Sequence, residues 1–225
     1  MDQIELGYER LIQQFVTWAQ TETDIRAAVI IGSRARVDHP ADEWSDLDII
    51  VFATNPEHYV ASADWVENIG VPWLTFVERT PDGGWERRVL FAGGLDVDFA
   101  IDSTRSLEGL TTTAIPPDVA DIIRRGTRVL LDKDGFLAPL QRVTMPEAVS
   151  FQPPTETDFL NVVNDFWYHT VWTAKHLRRG ELWWAKSGCD VHLKMLLRQM
   201  LEWHARATTH GCAGGFSKNG QIRVR

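Results

Sequence analysis

Residues 30–52 read IIGSRARVDHPADEWSDLDIIVF, and this stretch decides the fold. An apolar run ends in Gly32-Ser33, a polar loop follows, and Asp46-Leu47-Asp48 opens a second apolar run. The segments AAVII (27–31) and LDIIVFA (47–53) have the length and β-branched content of buried strands. Side chains two residues apart in a strand share a face, so Asp46 and Asp48 project side by side. Two ionised carboxylates placed there repel, and each is costly to remove from water. A divalent cation between them reverses that balance. A few hard oxygen ligands, with room left for water and substrate phosphates, select Mg²⁺.

A third carboxylate strengthens the reading. Asp98 lies in another apolar run, LDVDFAI (95–101), with Val97 and Phe99 on the opposite face. Asp96 shares the face of Asp98 but lies nearer the preceding turn, which makes it the weaker partner. If the two strands are neighbours, Asp98 completes an acidic cluster with Asp46 and Asp48. Such a cluster neutralises and positions a phosphate and deprotonates an attacking oxygen. Gly32-Ser33 supplies the other half. A glycine at a strand end lets the backbone come close to a phosphate, and the following N–H groups and the Ser33 hydroxyl can hold its oxygens. Arg34 and Arg36 add positive charge beside them. The chain has no Walker motif; the signal is Gly-Ser, a spacer of twelve residues, Asp-x-Asp in a strand, then a third strand aspartate.

The remaining pattern places these strands in a mixed sheet. Tyr8, Leu11, Ile12, Phe15 and Ala19 recur at helical spacing and define an amphipathic first helix. PEHYVASADWVENIG (56–70) starts with a proline suited to a first helical turn and ends on a glycine suited to a cap. LTFVER and WERRVLFA flank TPDGG, a hairpin signal, since Asp-Gly and Gly-Gly tolerate positive φ. The sum is an α/β alternation around about five strands. PPDVADIIRRG (116–126) reads as a short helix, and VLLDKDG as a strand tip and turn. SFQPPTETD (150–158) reads as a linker with a Thr-Glu-Thr-Asp capping sequence. Two long helical patterns follow, at 156–179 and 181–207, separated by Arg179-Gly180. The expected architecture is therefore a mixed-sheet α+β domain over 1–150 and an α-helical domain over 156–225.

Charge and composition narrow the partners. A net charge of −8 argues against a basic nucleic-acid surface and suits a cationic small molecule, which a negative cleft concentrates. Cys189 and Cys212 have neither metal-ligand nor framework spacing, so a reduced, cytoplasmic chain is expected. The N-terminal MDQIELGYERL has no signal-peptide character, and no apolar stretch approaches a bilayer span, so no membrane partner is expected.

The pattern resembles the nucleotidyltransferase superfamily that includes DNA polymerase β, with Gly32, Ser33, Asp46, Asp48 and Asp98 on its motif positions. Within it, GSRAR, SDLDIIVF, VDFAI, LLDKDG and FWYHTVWTAKHLRRGELWWAK are similar to the aminoglycoside 6-adenylyltransferases, the streptomycin-modifying enzymes. The similarity runs from about residue 5 to about residue 211; the last of these motifs carries the subfamily assignment. The resemblance implies a polymerase β-like mixed-sheet domain followed by a helical bundle. It implies transfer of AMP from ATP to an aminoglycoside hydroxyl with release of pyrophosphate. Asp46 and Asp48 would then bind Mg²⁺, with Asp98 joining them or acting as base. Ser33 and Arg34 would hold the ATP phosphates, and Lys175 and Lys186 in the helical stretch would reach the triphosphate. Family members usually continue through further helices after MLEWHARATTHG, whereas this chain ends in CAGGFSKNGQIRVR, so a truncated or altered helical domain is expected.

Alternatives stand beside this. The acceptor could be another antibiotic, a metabolite or a protein, or the chain could be an inactive nucleotide-binding module. A monomer is expected, with a dimer as the alternative. Trp167, Trp172, Trp183, Trp184 and Trp203 are read as packing residues, since tryptophan at helical spacing usually is. The seven histidines show no HExxH or similar spacing, and His169 with His176 is read as incidental. Glu78 and Glu86 beside the hairpin either present charge to an aminoglycoside or sit on an exposed face.

Overall fold

In the computed structural model, which describes residues 3–36, 41–80, 83–108, 122–123, 125–138 and 152–209, the amphipathic pattern at the N-terminus forms helix α1 (Gln3–Thr21). Its buried stripe is Tyr8, Leu11, Ile12, Phe15 and Ala19, the i, i+3, i+4, i+7 set of a helix that covers a sheet. The strands are β1 (Ile25–Ile31), β2 (Leu47–Ala53), β3 (Pro72–Arg79), β4 (Trp85–Phe91), β5 (Leu95–Ser103) and β6 (Arg128–Asp132). They form one six-stranded mixed sheet in the order β3-β4-β5-β2-β1-β6, in which only β2 and β5 run parallel. The sequence pattern suggested about five strands. The sixth is the VLLDKDG segment, which pairs antiparallel with β1 along its length.

Strand alternation divides the sheet into two faces. Leu47, Ile49 and Val51 of β2 and Val97, Phe99 and Ile101 of β5 join the α1 stripe in the main core. Phe15 meets Phe99 at 5.7 Å between ring centroids, and Trp65 sits edge-on to Phe99 at 5.0 Å. Each fully buried ring of this kind contributes about 1.5–3 kcal/mol. The opposite face carries a smaller apolar cluster of Ala27, Val29, Phe52, Leu107 and Leu137. Asp132 positions one part of it by accepting hydrogen bonds from the backbone N–H groups of Phe136 (2.9 Å) and Leu137 (3.0 Å). On the same face, nearer the start of β2, Asp48 stands where the next apolar residue would be.

The expected helix over 56–70 is broken. Helix α2 (Pro56–Ala61) stops at Ser62, which is extended, and a 3-10 turn (Asp64–Asn68) follows. Two contacts explain the break. Trp65 Nε1 donates to the carbonyls of Tyr59 and Ser62 (both 3.1 Å). Arg87, a buried cation from β4, donates to the carbonyls of Tyr59 (3.1 Å) and Val60 (2.5 Å) and to Thr75 Oγ1 (3.2 Å). These satisfy carbonyls that a continuing helix would have used.

Beyond β5, a short helix α3 (Arg105–Glu108) is followed by residues outside those described, which include most of the expected helix at 116–126. The chain separates into two compact units, Met1–Ala148 and Val149–Arg225. The second begins helix α4 (Glu156–Arg178) with a complete capping box. Thr155 accepts from Asp158 N (3.2 Å) and Asp158 Oδ2 accepts from Thr155 N (3.2 Å). Gly180, at φ +75°, ends it. Helix α5 (Leu182–Ser187), a π-helical segment (Gly188–Leu193) and helix α6 (Lys194–Thr209) replace the single expected helix over 181–207. Trp167, Trp183 and Trp184 are exposed, against their reading as packing residues, while Trp172 and Trp203 are half-buried. Helices that pack as a pair bury one stripe each, and the apolar faces here are wider than a stripe. The tail 210–225 lies outside the described residues. No helix among the described residues is long and apolar enough to cross a membrane.

Candidate active site

The parallel pairing of β2 with β5 sets Asp48 directly across from Asp98, and the antiparallel pairing of β4 with β5 sets Arg88 across from Asp98. Asp46, just before β2, adds a third carboxylate, and one oxygen of each of the three lies within 4.8 Å of the others. Strand register thus converts a pattern spread over fifty residues into one cluster.

The charges in this cluster work against one another. Burial pushes the Asp48 carboxyl up to about 7, and the carboxylates of Asp46, Asp98 and Glu86 push the same way against Arg88. Burial likewise pushes Asp98 up to about 6; Arg88 opposes this, and Glu86, Asp46 and Asp96 add to it. A cluster that resists ionisation because its charges are desolvated and alike is one a divalent cation would stabilise. The donors are all hard carboxylate oxygens, few in number and partly open to solvent, which fits Mg²⁺ with water and phosphate completing its shell. Asp46, Asp48 and Asp98 are the residues that would hold it.

Gly32 sits against this cluster for a steric reason the sequence did not reveal. β1 ends at Ile31, paired with Asp48, and Gly32 follows at φ +70°. A Cβ at position 32 would lie 2.1 Å from Asp48 Oδ2. Only glycine leaves room for the carboxylate. The next residue carries a buried hydroxyl, Ser33 Oγ, with no hydrogen-bond partner among the described residues. This orphaned hydroxyl, one residue beyond the glycine that abuts Asp48, is suited to an oxyanion partner.

Arg34, expected to hold phosphate, is engaged by the protein itself. Its guanidinium lies 3.6 Å from the centre of the Tyr8 ring, and its Nη2 donates to the Ser45 carbonyl (2.7 Å). The side chain therefore fastens the loop immediately before Asp46 to helix α1. Tyr8 in turn donates to Asp96 Oδ1 (2.8 Å), so the fourth acid of the region is occupied by a neutral partner. Burial, with the Asp96 carboxylate adding to it, holds the Tyr8 hydroxyl proton on, pushing its pKa up to about 12.

Arg88 is the residue that the sequence reading missed. It contacts Asp98 Oδ2 (3.2 Å), Glu78 Oε1 (2.7 Å) and Glu86 Oε1 (2.6 Å). Glu78 and Glu86 face each other across the β3–β4 hairpin, and Arg88 bridges them to the carboxylate cluster. The alternation Glu86-Arg87-Arg88 shows which arginine faces outward only once Arg87 is known to be buried. Replacing Arg88 by Gln is expected to raise the Asp98 pKa above about 6, since Arg88 is the neighbour holding it down. A ¹³C-carboxylate NMR titration of metal-free protein reads this directly; an unchanged or lower value would sever Arg88 from the cluster.

Lys175 and Lys186 belong to the second unit. Lys175 is exposed near the end of α4, and Lys186 pairs with Asp190 Oδ2 (2.6 Å). They are described within that unit alone.

Comparison with known proteins adds an independent line. The model of the family described as streptomycin adenylyltransferase matches residues 7–220. The chain is similar to the aminoglycoside 6-adenylyltransferase of Bacillus subtilis (strain 168), 25% identical over 227 residues, spanning 96% of this chain and 75% of that protein. It is 24% identical to an aminoglycoside 6-adenylyltransferase of Campylobacter jejuni over 84% of this chain and 64% of that protein. For the one from Staphylococcus aureus the identity is 21%, over 86% and 67% respectively. The chain thus spans roughly two thirds to three quarters of these relatives' length. Among solved structures it is similar to an aminoglycoside 6-adenyltransferase from Bacillus subtilis, at 18% identity and a TM-score of 0.38, over 89% of this chain and 68% of that one.

Proposed function

This chain belongs to the streptomycin adenylyltransferase family, and from that premise we propose that it transfers AMP from ATP to a hydroxyl of an aminoglycoside, streptomycin, releasing pyrophosphate. One observation carries the reading: Asp48 and Asp98 face each other in register on adjacent parallel strands, with Asp46 beside them and Gly32-Ser33 at the same strand ends.

The residues divide the work as follows. Bound Mg²⁺ would neutralise phosphate charge and favour a negatively charged leaving group. Asp46 and Asp48 would hold the ion. The Gly32-Ser33 turn would offer the Ser33 hydroxyl, which has no partner among the described residues, to a phosphate oxygen, at a point where only glycine fits. Arg34 keeps the loop leading to Asp46 against α1. Asp98 would either join them on the ion or receive the proton of the acceptor hydroxyl as its oxygen bonds to the α-phosphorus and the bond to pyrophosphate breaks. Burial raises the basicity of this carboxyl above that of an ordinary carboxylate, and Arg88 opposes the rise. Arg88 tunes that balance. The Glu78–Glu86 pair and the overall acidity favour a cationic acceptor over an anionic one.

Mass spectrometry of streptomycin incubated with the protein, ATP and Mg²⁺ is the test. An AMP adduct on streptomycin that disappears with EDTA is the expected result. ATP consumption with no streptomycin adduct would overturn the acceptor, and ATP binding without any turnover would overturn the enzyme reading.

A further inference from the structure

A second cluster of metal-ligating side chains lies in the helical unit, remote in sequence from the carboxylates of the sheet. Asp165 and His169 are one turn apart on α4, and His192 comes from the π-helical segment between α5 and α6. One ligand atom from each lies within 4.8 Å of the others. Asp165 Oδ1 accepts from His192 Nε2 (3.0 Å) and from His169 Nδ1, and the two imidazole rings are 4.0 Å apart between centroids. The sequence pairs His169 with His176 and makes it read as incidental. Its structural partners are instead an acid four residues before it and a histidine twenty-seven residues after that acid, a spacing with no readable motif.

The backbone is specialised at this place. The π-helical turn over Gly188–Leu193 departs from regular helix where His192 leaves the chain, and such turns are rare and concentrate at functional sites. Gly188 starts it because the helices approach closely there. A Cβ at 188 would lie 2.5 Å from Thr173 Oγ1 on α4. His192 is therefore held towards α4 by packing.

From this geometry we propose that Asp165, His169 and His192 form a binding site for a divalent transition-metal ion of the zinc class, distinct from the carboxylate cluster. Two imidazoles and one carboxylate suit zinc, whose ligands lie at about 2.0–2.2 Å. An ion would take the place of the hydrogen-bonding protons, and Asp165 Oδ1 and the two ring nitrogens, now in direct hydrogen-bond contact, would open slightly to admit it. Side-chain exposures of 32 to 43% leave an entry path and a fourth position for water. Such an ion would tie α4 to the segment that leads into α6. The site rests on none of the adenylyl-transfer residues.

The full-length protein, stripped with chelator, is titrated with ZnCl₂ by calorimetry while millimolar Mg²⁺ occupies the carboxylate cluster. The expected result is one equivalent bound with micromolar or tighter affinity, and a rise in melting temperature. His169→Ala and His192→Ala are each expected to weaken binding by at least about tenfold, the scale on which even outer-shell losses act. Binding no tighter than millimolar, or affinity unchanged in both variants, would overturn the site and leave a hydrogen-bonded knot. Should either variant lose helix content, X-ray absorption of the zinc-loaded wild type decides: two imidazole ligands support the site, and none refutes it.

Discussion

Replacing Asp48 with Asn is expected to reduce kcat/KM for adenylyl transfer by at least about 10³-fold, equivalent to about 4 kcal/mol of transition-state stabilisation, while making the metal-free protein more stable at neutral pH. The two effects share one cause. Asp48 is half-buried opposite Asp98 and near Asp46, an arrangement that suits a bound cation and penalises the empty, ionised state. Its carboxyl is pushed from 3.8 to about 7 in the folded protein. A carboxyl with a raised folded pKa contributes its full stability below the unfolded value, and that contribution is lost as pH rises through the folded one. The wild type is therefore expected to weaken between about pH 4 and pH 7 relative to Asp48→Asn, whose amide does not titrate. The gap should be near zero at pH 4 and level off above pH 7 at about 2–3 kcal/mol, less than the full shift because the cluster is coupled and partly solvated. Urea unfolding of both proteins in EDTA at pH 4.5 and pH 8 measures it. A gap that is absent or reversed at pH 8 would mean Asp48 is not held in a desolvated, like-charge site. Residual transfer within tenfold of wild type would remove it from the active site.

Parts of this picture are legible in the sequence alone. The α1 stripe, the hairpin around residues 80–84, the capping box at Thr155 and the shared face of Asp46 and Asp48 each follow from a local rule of period, turn chemistry or hydrogen bonding. The position of Asp98 did not. It needed β2 and β5 to be parallel neighbours, and no local feature specifies which strands pair. The breaking of the 56–70 helix was hidden for a related reason, since the cation that satisfies its last carbonyls comes from β4. Arg34 and Arg88 show the limit for charged residues. The sequence places a guanidinium near the site but does not say what it will meet. Arg34 meets Tyr8 and the Ser45 carbonyl, whereas Arg88 meets three carboxylates. The π-helical turn at 188–193 was invisible because helical periodicity averages over a single irregular turn.

Gly32 carries the other large prediction, and it separates two reasons for needing glycine. Gly32→Ala is expected to destabilise the protein by about 2–4 kcal/mol and to lower adenylyl transfer by about 10²-fold or more. Part of the cost is conformational: a φ of +70° strains any side-chain-bearing residue by about 1–2 kcal/mol. The rest is contact, because the new methyl would lie 2.1 Å from Asp48 Oδ2 and must push the carboxylate or the end of β1 aside. Gly135 provides the control. It has a similar φ of +75°, but a Cβ there would meet nothing within 4 Å, so Gly135→Ala reports the strain alone. The contact contribution is isolated by making Gly32→Ala in an Asp48→Ala background. With the carboxylate gone, the cost at position 32 is expected to fall to that of Gly135→Ala. The coupling between positions 32 and 48 then equals the steric part, about 1–2 kcal/mol. Additive costs would show that Asp48 and Gly32 do not constrain each other. The strand end would then be glycine for backbone reasons only, and the Asp48 carboxylate would owe its position to β2 alone.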